Sequence, residues 1–307
     1  MTPTSVESQA NPGLLRCYPG SNLLRISGAD ALKWLQGIVT ADLNSLAGHA
    51  FWGLMLQRNG KVRCEVAGLT QGTSVVLAVI GGELDDVYGY LDSMILMDDV
   101  ELTRMPNHVF WAIQGGTGAL LESSLETVPA AFHGSLRWFG EHDQVFVVDR
   151  AREPECLNAF QRLGFAPCTD GAWEQLRIRS GVPKWAVDFS TKDTPHHAAL
   201  FGRAVALSKG CYIGQEVVCK AEMIGRVSSR LTRIELDSFD GVDAGADVQD
   251  LQTGESAGVI TSAVSNGAVS GGWAIARVKS SVIEKQGGVS VGQARGRIVD
   301  MLRAVSP

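Results

Sequence analysis

The feature that most limits how this chain can fold is the dipeptide Asn59-Gly60, set between two apolar stretches at residues 54–57 and 62–66. Asn-Gly supplies the positive backbone angles of a tight hairpin turn, so the flanking strands run antiparallel. Elsewhere the pattern switches to strand–helix units. Apolar strands at 109–114 and 144–148 each precede a helical pattern, at 119–125 and 155–163. Hairpins mixed with such units exclude an all-parallel doubly wound sheet and imply an α+β fold. A strand at 23–26 leads into a helical face of Leu32, Leu35, Gln36 and Val39, with Ser27 or Asp30 as the cap. A strand at 73–80 is followed by a helix from Gly82 toward Met97, with Leu84, Val87, Tyr88, Leu91 and Ile95 on its apolar stripe. The Gly115–Gly118 run after strand 109–114 lacks the GxGxxG spacing and reads as a plain turn. Residues 1–20 read as a polar arm.

From about residue 231 helical periodicity disappears. Short strands at 231–236, 259–264, 273–278 and 295–301 alternate with glycine-rich turns, the pattern of a small β-barrel. The chain therefore divides into residues 1–235 and a C-terminal barrel domain at 236–307. Net charge is −6 and the isoelectric point about 5.6, which disfavours a broad phosphate-binding face and hence direct nucleic-acid binding. No apolar run approaches the ~18 residues of a spanning helix. The first residues, MTPTSVESQANPG, lack the regions of a signal peptide. The 6 cysteines form no CxxC pair, so reduced thiols in the cytoplasm are expected, and no metal site is expected.

Chemistry concentrates in residues 209–216, KGCYIGQE, where a cation, a thiol, a phenol, an amide and a carboxylate sit among two glycines. Lys209 near Cys211 favours the thiolate, the nucleophilic and ligating form. Gln215 and Glu216 offer donors and acceptors to a ligand. The same composition also suits a structural loop with a small buried thiol.

In its residue order this segment resembles the signature of the YgfZ-type folate-binding proteins, which act in iron–sulfur cluster assembly or repair. These are related to the T-protein, the aminomethyltransferase of the glycine cleavage system. Residues 24–42 (LRISGADALKWLQGIVTAD) are similar to the family's N-terminal strand–helix, residues 176–188 (LRIRSGVPKWAVD) to its Arg…Gly-Val-Pro…Asp segment, and residues 259–262 (VITS) to a turn of its C-terminal domain. The resemblance implies three domains in a ring around a folate channel, the first two interleaved in sequence and the last a β-barrel. It implies tetrahydrofolate as cofactor, iron–sulfur proteins or assembly factors as partners, and Cys211 with Lys209 as the reacting pair. Ligand contacts would come from Trp173, whose flat face suits stacking, and from Arg179, Tyr212, Gln215 and Glu216. Trp185 is a second aromatic near that channel. Lys184 and Arg203 are further cations for folate's glutamate tail. Cys219, like Cys211, is a thiol on this stretch and reads as inert.

The chain also departs from the family. Arg179 stands where relatives often have a pteridine-binding Glu, and arginine accepts no hydrogen bonds. His197 replaces another Glu, and Asp86 is the nearest acid to the T-protein's catalytic position. These changes weigh against aminomethyl transfer. The alternatives are a folate-dependent one-carbon transferase and an interaction module that has lost folate.

Overall fold

The computed structural model describes residues 13–18, 22–45, 50–114, 128–136, 138–139, 143–206, 208–224, 227–267, 270–299 and 301. The Gly115–Gly118 turn and the helix expected at 119–125 lie outside them.

Among the described residues sixteen strands form two open sheets and a closed barrel. The first sheet has the order β10 (Phe165–Pro167), β1 (Gly13–Tyr18), β7 (His108–Gln114), β9 (Gln144–Asp149), β8 (Phe132–Ser135). The second runs β3 (Ala50–Leu56), β4 (Val62–Gln71), β5 (Ser74–Gly81), β2 (Leu23–Ser27), β6 (Glu101–Arg104). Because β1 joins the first sheet while β2–β6 build the second, these two sheets interleave in sequence. The barrel closes in the order β11 (Ser229–Leu236), β14 (Gly272–Lys279), β13 (Ser256–Ser265), β12 (Asp247–Asp250), β15 (Gly288–Val291), β16 (Ala294–Val299).

The hairpin forms where Asn59-Gly60 places it. Leu56 pairs with Val62, Gly60 adopts φ 76°, and Asn59 Oδ1 accepts from the Lys61 amide at 3.1 Å. Strands β3, β4 and β5 are buried along most of their length, since helices cover one face and the other sheet covers the second. Leu35, Met55, Val66, Leu77 and Leu91 fill the core beneath the helices Ala31–Gln36 and Leu84–Asp92. A separate core under the first sheet holds Trp111, Phe146 and Phe160. The barrel interior packs Ile234, Val248, Ile260, Ala274 and Val289. A central cluster then joins all three units through Leu54, Phe110, Val147, Trp173, Leu231 and Ile275. Each such fully buried aliphatic side chain contributes about 1.5–3 kcal/mol of transfer free energy.

Four expectations need correction. Residues 13–18, read as part of a polar arm, form β1: Leu15 is buried and pairs with Ile113, while Leu14 pairs with Gln114. Flanking polar residues hide that short strand in a composition average. Asp30 occupies the cap position of the first helix but does not cap it; its carboxylate accepts from the Asp99 amide at 2.9 Å instead. The second helix ends at Asp92 rather than near Met97, and Leu96 and Met97 are exposed. The barrel begins at Ser229, ahead of the sequence boundary at 236, because β11 pairs along its whole length with β14. Strands β12 and β15, too short for a clear alternation, complete the closure.

A buried ionic network ties the Asp170–Arg179 helix to the barrel. The Asp188 carboxylate accepts from Arg177 Nη1 at 2.8 Å, the Lys184 amide at 2.8 Å, Ser262 Oγ at 2.7 Å and the Thr261 hydroxyl. Arg177 Nη2 also donates to Ser262 Oγ at 2.8 Å. The 176–188 and 259–262 segments are thus two halves of one inter-domain joint.

Candidate functional site

Where the two sheets and the Asp170–Arg179 helix meet lies a cavity of about 260 Å³. Its aromatic wall comes from Tyr18 on β1, Trp138 and Phe139 after β8, and Trp173 on the helix. Tyr18 and Trp138 stack with centroids 5.7 Å apart, and Phe139 meets Trp173 edge-on at 4.8 Å. Such walls suit a flat, apolar-faced ligand. Arg16 sits over this wall, its guanidinium 5.1 Å from the Trp173 ring and 2.9 Å from Asp170. Lys184 and Glu174 form an ion pair of 2.9 Å at the cavity, and Arg177 holds the same carboxylate.

The floor carries a buried acid, Glu65 on β4, which accepts from Trp52 Nε1 at 2.8 Å. Burial pushes its carboxyl up to about 7, against the opposing pulls of the Trp52 hydrogen bond and Arg203. Near neutral pH it switches between hydrogen-bond donor and acceptor, the property needed of an acid–base group. Arg203 donates to the Gly181 carbonyl at 2.6 Å and lies over Trp52, and burial lowers it to about 10.

The sequence-derived candidates divide between this cavity and a second location. Trp173 is both buried and part of the wall. Trp185 and Lys184 line the cavity as well. Arg179 does not: it is exposed at the end of its helix, where its carbonyl accepts from Arg233. Asp86 lies in a different cavity, on the Leu84–Asp92 helix. His197 bonds Thr194 Oγ1 at 2.8 Å through Nδ1.

Residues 209–216 are fastened to the end of the Ala31–Gln36 helix. Lys209 is buried, and its ammonium donates to the carbonyls of Gln36 at 2.7 Å, Val39 at 2.6 Å and Ala41 at 2.7 Å. That uses all three donors, so the cation holds the loop in place. Desolvation lowers it to about 8, with Asp42 opposing. Tyr212 is buried beneath the same ammonium, with its ring centroid 5.2 Å from Nζ, and burial pushes its phenol to about 12. Gly214 packs on the hairpin turn: a Cβ there would lie 2.6 Å from the Gln57 carbonyl oxygen, and φ is 81°. Gln215 opens the next helix, Gln215–Ile224, and Glu216 is exposed, paired with Lys220 at 2.6 Å. Cys211 and Cys219 are exposed free thiols. No residue of 209–216 lines the aromatic cavity. Among the described residues no cluster of potential metal ligands occurs.

Sequence reasoning missed Arg16, Tyr18, Trp138, Phe139, Glu65 and Glu174. Only Glu65 left a trace: it is a lone carboxylate inside the strand VRCEVAGLTQ.

Two sheets interleaved in sequence and a closed barrel make up the T-protein fold. The glycine cleavage system aminomethyltransferase T from Bartonella henselae superposes with a TM-score of 0.79 over 95% of this chain and 86% of that one, at 17% identity. In sequence the similarity is to YgfZ proteins, as residues 209–216 imply. The tRNA-modifying protein YgfZ of Yersinia enterocolitica is 24% identical over 216 residues, 66% of this chain. That of Colwellia psychrerythraea is 22% identical over 214 residues. The match spans 65% of the length of these curated relatives. No protein-family model matches the chain.

Proposed function

We propose that this chain binds a reduced folate in its aromatic cavity and serves as an accessory protein for iron–sulfur cluster assembly or repair. The observation that carries the binding half is the cavity walled by Tyr18, Trp138, Phe139 and Trp173 with Glu65 at its floor. Flat pterin and aminobenzoate rings match the wall, and a pterin's N–H groups match an acceptor carboxylate. Glu65 thereby offers the acceptor that Arg179 cannot provide. Arg16 and Lys184 offer positive charge to a glutamate tail.

The curated relatives are named for tRNA modification. For this chain a net charge of −6 and a small aromatic cavity favour an indirect part in such a process, through an iron–sulfur enzyme in the cytoplasm. Cys211, exposed on a loop clamped by Lys209, is the thiol for transient contact with a client. A one-carbon transferase is the second reading, and Glu65 with its raised carboxyl pKa is the observation in its favour.

Titrating the full chain with tetrahydrofolate should give saturable quenching of tryptophan emission. Trp173→Ala should weaken binding by about 1–3 kcal/mol, the worth of one aromatic stack. Absence of saturable binding removes the folate reading. Ammonia release from an aminomethylated carrier protein, lost in Glu65→Gln, would establish the transferase instead.

A further inference from the structure

Trp185 separates the aromatic cavity from a second one of about 660 Å³ and lines both. The two lie along one strand, with Cys64 beside Arg63 in the lining of the second. Side chains two residues apart on a strand share a face, and Glu65 lines the first cavity while Arg63 lines the second. The opposite wall is one face of the Leu84–Asp92 helix and its cap, with Glu83, Asp86, Val87 and Tyr90 at helical spacing.

Several charged groups of this lining have no ion-pair partner. Arg63 sits over Tyr90, its guanidinium carbon 3.9 Å from the ring centroid, and hydrogen-bonds that residue's side chain. Its Nε is buried with no hydrogen-bond partner. Among the described residues neither Arg63, Glu83 nor Asp86 forms an ion pair, whereas neighbouring Asp85 faces away and pairs with Arg104 at 2.6 Å. A buried donor without an acceptor is uncommon in a folded protein. A guanidinium pre-set by stacking favours a planar carboxylate. Two free carboxylates on the facing helix favour an ammonium. Val87, Tyr90 and Trp185 supply apolar surface between these charges. The volume suits a small molecule.

We propose that this second cavity binds a small zwitterion of α-amino-acid type with an aromatic or large aliphatic side chain. Its carboxylate sits on Arg63 and its ammonium between Glu83 and Asp86. This site stands apart from the folate reading and does not depend on it.

Calorimetric titration of the full chain with three probes tests the assignment: L-phenylalanine, 3-phenylpropanoate lacking the amine, and 2-phenylethylamine lacking the carboxylate. Phenylalanine should bind, and each analogue should bind about tenfold or more weakly, because each leaves one charged group unpaired. Arg63→Gln should reduce phenylalanine affinity by a similar factor, and Asp86→Asn should weaken phenylalanine while leaving 3-phenylpropanoate unchanged. Asp85→Asn should change nothing. Trp173→Ala should leave phenylalanine binding intact even where folate binding is lost, so the two readings fail separately. Equal affinity for all three probes, or no binding of any by the wild-type chain, overturns the proposal.

Discussion

Replacing Glu65 by Gln isolates the cost of keeping a carboxyl in the central cavity. The residue is buried, and burial moves its carboxyl from an ordinary 4.5 to about 7. In the unfolded chain the group releases its proton near 4.5, whereas in the folded protein it retains it to about 7. Between those values the folded state binds more protons, so stability falls as pH rises and levels off above 7. The separation corresponds to about 3 kcal/mol at pH 8 and almost nothing at pH 4. Glutamine keeps an oxygen for the Trp52 indole N–H, now bonded at 2.8 Å, and cannot ionise. Its second N–H adds a constant offset that does not vary with pH. Urea midpoints of both proteins, measured from pH 4 to pH 8.5, should therefore diverge in favour of Glu65→Gln, by up to ~3 kcal/mol. Every other titrating group is common to both proteins and cancels in the difference. Parallel curves, or a variant that loses ground as pH rises, would refute the raised carboxyl pKa at this position.

Three further outcomes follow from the geometry. Asp188→Ala removes one of the two carboxylate partners of buried Arg177, leaving Glu174, and should cost about 1.5–3 kcal/mol in thermal or urea unfolding; Ser262→Ala at the same joint should cost about 1 kcal/mol. Lys209→Met strands three helix-end carbonyls, and should destabilise the chain by about 3 kcal/mol while making residues 209–216 more susceptible to proteolysis. Cys211 should alkylate well before Cys64, which is buried with its thiol pushed to about 12, as read by mass spectrometry of timed digests; Cys211→Ser should leave the melting temperature nearly unchanged and abolish rescue of iron–sulfur enzyme activity.

Local order was legible in the sequence wherever a signal spans only neighbouring residues. Asn59-Gly60 dictates its hairpin because the turn's backbone angles belong to those two residues. Alternation at 231–236 and 273–278 marks barrel strands because period two is a property of the strand itself. Residues 209–216 point to a family because their order is specific. Partnership was not legible. Lys209 lies beside Cys211 in sequence, yet its ammonium is spent on carbonyls about 170 residues away in the chain. Arg179 and Arg177 differ by two positions on one helix, and that turns the first to solvent and the second into the Asp188 joint. The cavity draws Tyr18, Glu65, Trp138 and Trp173 from four elements that meet only once β1 crosses into the first sheet and the barrel locks the helix in place. Burial by those distant neighbours, and not anything within the strand VRCEVAGLTQ, removes water from Glu65 and raises its carboxyl.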